Sequence, residues 1–70
     1  MQTMVVESSS LAAVGYDHAN LVLEVQFKNG HVYRYFNVPY VVVEQLMNAR
    51  SLGRHFNSNI RERFRYRRMM

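Results

Sequence analysis

A β-hairpin predicted over residues 21–36 is the feature that most constrains how this chain can fold. Residues 21–27 place apolar side chains at every second position, which is the period of a strand with one buried face. Lys28-Asn29-Gly30 follows as a turn, and residues 31–36 form an aromatic return strand. The rest of the chain must therefore cover one face of the hairpin, the face that carries Leu21, Leu23, Val25 and Phe27.

The side chains distinguish two ways of closing this hairpin. A two-residue Asn-Gly turn would place Arg34 on the apolar face. A three-residue loop, with Gly30 in a left-handed conformation, instead sets Glu24 opposite Arg34. The same register sets Leu23 opposite Tyr35. Because a shift of one residue turns every side chain to the other face, only the second register matches charges on one face and apolar groups on the other. We predict the three-residue loop.

Further elements are predicted on both sides of the hairpin. A short strand at residues 4–6 and a longer one at residues 11–16 precede it, and a serine run separates these two. Residues 17–20 form a turn. After the hairpin, Pro39 suits the first position of a helix, and residues 40–49 carry the apolar stripe of one.

A second helix is predicted after Ser51, which is a good N-cap residue. Its apolar side chains recur every four residues. We expect the end of the chain, residues 61–70, to fray. Residues 1–70 thus form a single α+β domain: a small antiparallel β-meander of three to four strands, followed by two short helices packed on one face. The repeating apolar positions of the second helix are Leu52, Phe56, Ile60 and Phe64.

Composition argues against several classes of function. Without cysteine, the chain has no disulfides and no thiolate zinc site. The three histidines are 13 and 24 residues apart, which is not the spacing of a metal site, and the five acidic residues offer no pair for acid–base catalysis. We therefore expect no enzyme, metal, cofactor or small-molecule substrate. No segment approaches the roughly 18 apolar residues of a membrane span, and we expect a cytoplasmic protein.

A series of short motifs runs through nearly the whole chain. In order, they are the serine run with Val14-Gly15-Tyr16-Asp17, Leu23-x-Val25-x-Phe27, Asn29-Gly30, the central Tyr33-Arg34-Tyr35, Val38-Pro39, Ala49-x-Ser51-x-Gly53, Phe56-Asn57 and Ile60-Arg61. This order resembles the KTSC domain, a module named for the C-terminus of some lysyl-tRNA synthetases and found also in stand-alone bacterial and phage proteins. The resemblance covers residues 5–64. It implies RNA binding, through the association with a tRNA synthetase, and it implies no aminoacylation.

Positive charge is concentrated at one end of the chain. The net charge is +4, but residues 1–49 carry two cations against four acids, whereas residues 50–70 carry seven arginines against one acid. Arginine forms bidentate hydrogen bonds with phosphate and carboxylate groups. If residues 50–68 are helical, five arginines fall within about 60° around the helix axis. We predict that these five bind the partner: Arg50, Arg54, Arg61, Arg65 and Arg68.

Two kinds of partner fit a basic surface of this kind. One is RNA, bound through its phosphates, and the other is an acidic protein surface of the transcription or translation machinery. A face that is merely solvated is the third interpretation. Tyr33, Arg34 and Tyr35 are secondary candidates, because aromatic strands stack RNA bases in some sheets. Their place in the hairpin favours a core position for the two tyrosines. The oligomeric state stays open.

Overall fold

The hairpin forms the centre of a five-stranded antiparallel sheet in which the strands follow one another in sequence order. The computed structural model describes all of residues 1–70. Two helices are inserted between the fourth and fifth strands, so the α+β prediction is confirmed, with one strand more than expected. The elements are β1 (Thr3–Val5), β2 (Leu11–Asp17), β3 (Val22–Phe27), β4 (Val32–Tyr35), α1 (Tyr40–Met47), α2 (Leu52–Asn59) and β5 (Tyr66–Arg68).

The hairpin has the register predicted from its side chains. Glu24 lies opposite Arg34, and Leu23 lies opposite Tyr35. Gly30 has a φ of 94°, the left-handed conformation that the three-residue loop requires. Across the loop, the backbone N–H of Phe27 donates to the His31 carbonyl at 2.9 Å. The predicted three-residue loop is therefore confirmed.

One face of the sheet packs against both helices. The fully buried side chains Leu23, Val25 and Tyr35 come from this face. From the helical segment, Leu46 of α1 and Phe56 of α2 join them in a single cluster. We call this the helix-covered face and the other the open face. Because directly opposite residues of paired strands point to the same face, the register assigns each side chain of β1–β5 to one of them.

The helix ends follow the capping chemistry of the sequence. The Ser51 hydroxyl accepts a hydrogen bond from the Arg54 N–H at 3.3 Å, which confirms it as the N-cap of α2. Pro39 is the N-cap residue of α1 rather than the first helical residue, so the helix begins one residue later than its predicted start at Pro39. At the other end of α1, the Asn48 side chain donates to the Glu44 carbonyl at 3.0 Å. Neither helix has the length and apolar character needed to cross a membrane.

The end of the chain does not fray, contrary to our expectation. Helix α2 ends at Asn59, the fully buried Ile60 anchors the turn that follows, and the chain returns to β4 as strand β5. Tyr66 pairs with Tyr35 in this strand. The physical reason is that β4 would otherwise leave a row of backbone groups unpaired. The run of polar residues 57–59 also favours helix termination over continuation.

Candidate functional site

A groove on the helix-covered face lies between strands β3–β5 on one side and α2 with its following turn on the other. Its volume is about 570 Å³. Aromatic rings from five separate segments meet there because β5 and the turn after α2 close around the hairpin. We call it the aromatic groove and define it by the side chains of Phe27, Tyr33, Tyr35, Phe56, Phe64 and Tyr66.

Three tyrosines form one wall of the aromatic groove. The Tyr33 and Tyr66 rings stack with centroids 5.6 Å apart, and the Tyr33 and Tyr35 rings stack at 6.4 Å. Tyr35 is only 2% exposed and meets Phe56 edge to face at 5.4 Å, so it forms the floor. Tyr66 is 54% exposed at the rim. The groove therefore presents an accessible aromatic ring that its neighbours hold in place.

The phenol at the floor of the groove stays neutral. Burial, together with the neighbouring Tyr33 and Tyr66, raises the pKa of Tyr35 to about 12, although the Arg61 guanidinium acts in the opposite direction. Tyr35 is therefore an uncharged part of the groove at any physiological pH. Arg61 lines the same groove as the tyrosines, so its charge lies close to them.

Two arginines flank the aromatic groove. Arg61 lines it from the turn after α2. Arg68 of β5 lies opposite Tyr33 and donates a hydrogen bond from Nη2 to Nδ1 of His31 at 2.7 Å. Arg61 and Glu62 are the two charged residues of the lining, and Arg68 adds a second cation beside it through His31.

The five arginines predicted to share one helical face do not do so. That prediction is wrong because residues 50–68 are not one helix but a loop, α2, a turn and β5. Arg61 lines the aromatic groove together with the secondary candidates Tyr33 and Tyr35, and Arg68 lies beside the groove through its hydrogen bond to the lining residue His31. The others lie outside it: Arg50 in the loop before α2, Arg54 on the exposed side of α2, Arg65 just before β5, and the secondary candidate Arg34 on the open face.

Sequence reasoning missed Tyr66, the most exposed ring of the groove. It lies in the segment that the sequence predicts to fray, and the period-four apolar pattern up to Phe64 favours a helix before it. The signal that pointed to a strand is the alternation Arg65-Tyr66-Arg67, which puts a ring on one face and cations on the other. The expected core position holds for Tyr35, which is buried, but Tyr33 is only half-buried.

A second and larger depression, of about 770 Å³, lies between β1 and α1. Its walls include Met4, Met47 and the half-exposed Tyr40, and its one carboxylate is Glu44. No arginine or lysine lines it. A polyanion would therefore find cations at the aromatic groove but not here. Nowhere does the structure bring together three side chains of the metal-binding types His, Cys, Asp and Glu.

Comparison with known proteins gives a consistent result. The family model of the KTSC domain matches residues 7–64. An uncharacterised protein of Stutzerimonas stutzeri is 46% identical over 67 residues, covering 94% of each chain. A lysine–tRNA ligase of Nostoc punctiforme is 40% identical over 60 residues, which are 86% of this chain but 11% of the ligase. The crystal structure of a KTSC domain protein from Yersinia pestis superposes with a TM-score of 0.92 at 37% identity, covering 99% of this chain and 97% of the other.

Proposed function

This chain belongs to the KTSC domain family, and we propose that it is a non-catalytic cytoplasmic module that binds unpaired RNA in the aromatic groove. One observation carries the proposal: the exposed ring of Tyr66, stacked on Tyr33, lies in a groove flanked by Arg61 and Arg68. A nucleobase stacked on such a ring gains about 1–3 kcal/mol. The adjacent guanidinium groups can form charge-assisted hydrogen bonds with the phosphates on either side of that base.

Unpaired RNA fits this groove better than duplex RNA does. In an A-form helix the bases are stacked on one another and offer no free face to a protein ring. The rings of the aromatic groove lie in a concavity, with Phe56 of α2 on one side and Tyr33 of β4 on the other. A base must therefore leave its own stack to enter, which favours loops, bulges and single strands.

The family relationship supports RNA as the partner. A segment similar to this chain is part of a lysine–tRNA ligase, whose name gives tRNA as a substrate. The alternative is docking on an acidic protein surface, which the same arginines would suit. Capture of partners from lysate with and without nuclease separates the two. Captured material that is lost after nuclease treatment supports RNA as the partner, and captured protein that remains after nuclease treatment supports the protein partner.

The direct test compares two exposed tyrosines. Tyr66 is 54% exposed inside the aromatic groove, and Tyr40 is 51% exposed outside it, on α1. We expect Tyr66→Leu to weaken binding of single-stranded RNA by about fivefold or more, since an aliphatic side chain cannot stack, whereas Tyr40→Leu binds like the parent. Leucine retains apolar bulk, and thermal melts confirm that both variants fold. Equal affinity of Tyr66→Leu and the parent would contradict the proposal.

A further inference from the structure

Two arginines lie directly opposite each other on the open face of the sheet. Arg34 of β4 pairs with Arg67 of β5, so both side chains project from the face that the helices leave uncovered. Like charges in directly opposite positions of a sheet are destabilising. An arrangement that costs stability in the free protein is a candidate for a binding function.

The one carboxylate beside this pair does not neutralise both arginines. Glu24 lies opposite Arg34 on the other side, and its Oε1 accepts from the Arg34 Nε at 3.0 Å. Its Oε2 accepts from the Gln26 side chain, also at 3.0 Å. Both carboxylate oxygens are thus engaged, and Arg67 has no acidic residue opposite it. The pair therefore keeps a net positive charge.

The guanidinium groups retain donors for a ligand. Arg34 uses its Nε for Glu24, which leaves its two terminal amino groups, and its side chain is 42% exposed. Arg67 is exposed. A phosphate between the two groups would receive charge-assisted hydrogen bonds from both and would relieve their mutual repulsion. We propose that Arg34 and Arg67 bind a backbone phosphate of the same RNA strand whose bases occupy the aromatic groove.

This inference rests on the proposed function and adds the path of the RNA strand. Within β5, Tyr66 and Arg68 lie on the helix-covered face, where Tyr66 lines the aromatic groove, while Arg67 between them lies on the open face. Strand β5 is the last of the sheet and has no neighbour along its outer edge. An RNA strand that leaves the groove past Tyr66 therefore crosses the edge of β5 and meets the Arg34–Arg67 pair. The competing explanation is that Arg67 only protects an edge strand from pairing with another chain.

The test uses oligoadenylate RNAs of two lengths, about three and about ten nucleotides, since only the longer one can fill the groove and also cross β5. We expect Arg67→Gln to weaken binding of the longer RNA about tenfold, as loss of a charged hydrogen bond does. The slope of log affinity against log salt should fall by about 0.7, the value for one lost phosphate contact on a single strand. The shorter RNA should bind Arg67→Gln as it binds the parent.

Arg54→Gln is the matched control, because it removes the same charge from the exposed side of α2. Arg54→Gln should leave the affinity for both the shorter and the longer RNA unchanged. Arg67→Lys, which keeps the charge, should retain the salt slope. An equal loss for both RNA lengths, or an equal loss in Arg54→Gln, would show a general charge effect and overturn the inference. Unchanged binding of the longer RNA by Arg67→Gln would leave edge protection as the role of Arg67. If neither RNA binds the parent, the proposed function fails and this site with it.

Discussion

Glu24 shows how a single residue connects the hairpin register to stability. It is the one acidic residue buried in the structure, at 8% exposure. The hydrogen bond from Gln26, together with the hydrogen bond and charge of Arg34, lowers its pKa below the ordinary value of 4.5, although burial acts in the opposite direction. The ionised form is thus favoured in the folded protein. Gln26 lies two residues along the same strand, but Arg34 reaches Glu24 only in the observed register, since a shift of one residue would move Arg34 to the helix-covered face.

The lowered pKa of Glu24 predicts part of the response of the protein to acid. A group whose pKa is lower in the folded state contributes stability above its unfolded pKa, and that contribution is lost as the pH falls through the folded pKa. Glu24→Gln should therefore lose less stability than the parent between about pH 6 and about pH 3. Urea unfolding across this range measures the difference. Glu62→Gln, which changes an exposed residue without a hydrogen-bond partner, should follow the parent. Parallel curves for Glu24→Gln and the parent would contradict the role given to Glu24.

At the scale of elements, strand β5 completes both the sheet and the aromatic groove. It pairs with β4, supplies Tyr66 to the tyrosine wall, and brings Arg68 to His31. Just before the strand, the Arg65 carbonyl accepts a hydrogen bond from the Phe36 N–H at 2.8 Å. The matched region of the family model ends at Phe64, before this strand. The pairing with β4 and these hydrogen bonds nevertheless make residues 65–70 an integral part of the fold.

Removal of residues 65–70 tests this role of β5. The shortened chain exposes the outer edge of β4 and uncovers Tyr33 and Tyr35, so we expect its free energy of unfolding to be lower by about 1–3 kcal/mol. Denaturant unfolding of the full and shortened chains measures the difference. If the two unfold at the same denaturant concentration, the end of the chain contributes nothing to the fold, as expected of a frayed segment.

The structural features that the sequence predicts are those that depend on residues close together in the chain, and the features that it does not predict depend on distant ones. The hairpin register depends on residues close in sequence, and the matching of Glu24 with Arg34 is visible there. The capping hydroxyl of Ser51 is equally local. The return of Tyr66 to Tyr35 joins residues that are distant in sequence, with both helices between them. No pattern within residues 60–70 indicates that partner, and the apolar period of α2 continues past its true end.

At the scale of the whole molecule, the sheet separates two surfaces that β5 connects. The helix-covered face contains the aromatic groove, and the open face carries the Arg34–Arg67 pair. Five of the seven arginines in residues 50–70 thus lie in the last strand and the segment between it and α2, not along one helix. Near the opposite edge of the sheet, the depression between β1 and α1 is lined by Glu44 and no arginine or lysine. The molecule is therefore electrostatically two-sided, and a polyanion would approach the β5 side.

The most direct test of RNA binding in the aromatic groove is a titration of isotope-labelled protein with single-stranded RNA, followed by NMR. We predict that the largest changes in backbone amide signals fall at Tyr33, Arg61, Tyr66 and Arg68, while the signals of α1 and β1 stay in place. These changes should weaken as salt is added, because phosphate contacts release counterions. Changes confined to the depression between β1 and α1, or no change at RNA concentrations that saturate a known RNA-binding domain, would contradict the account.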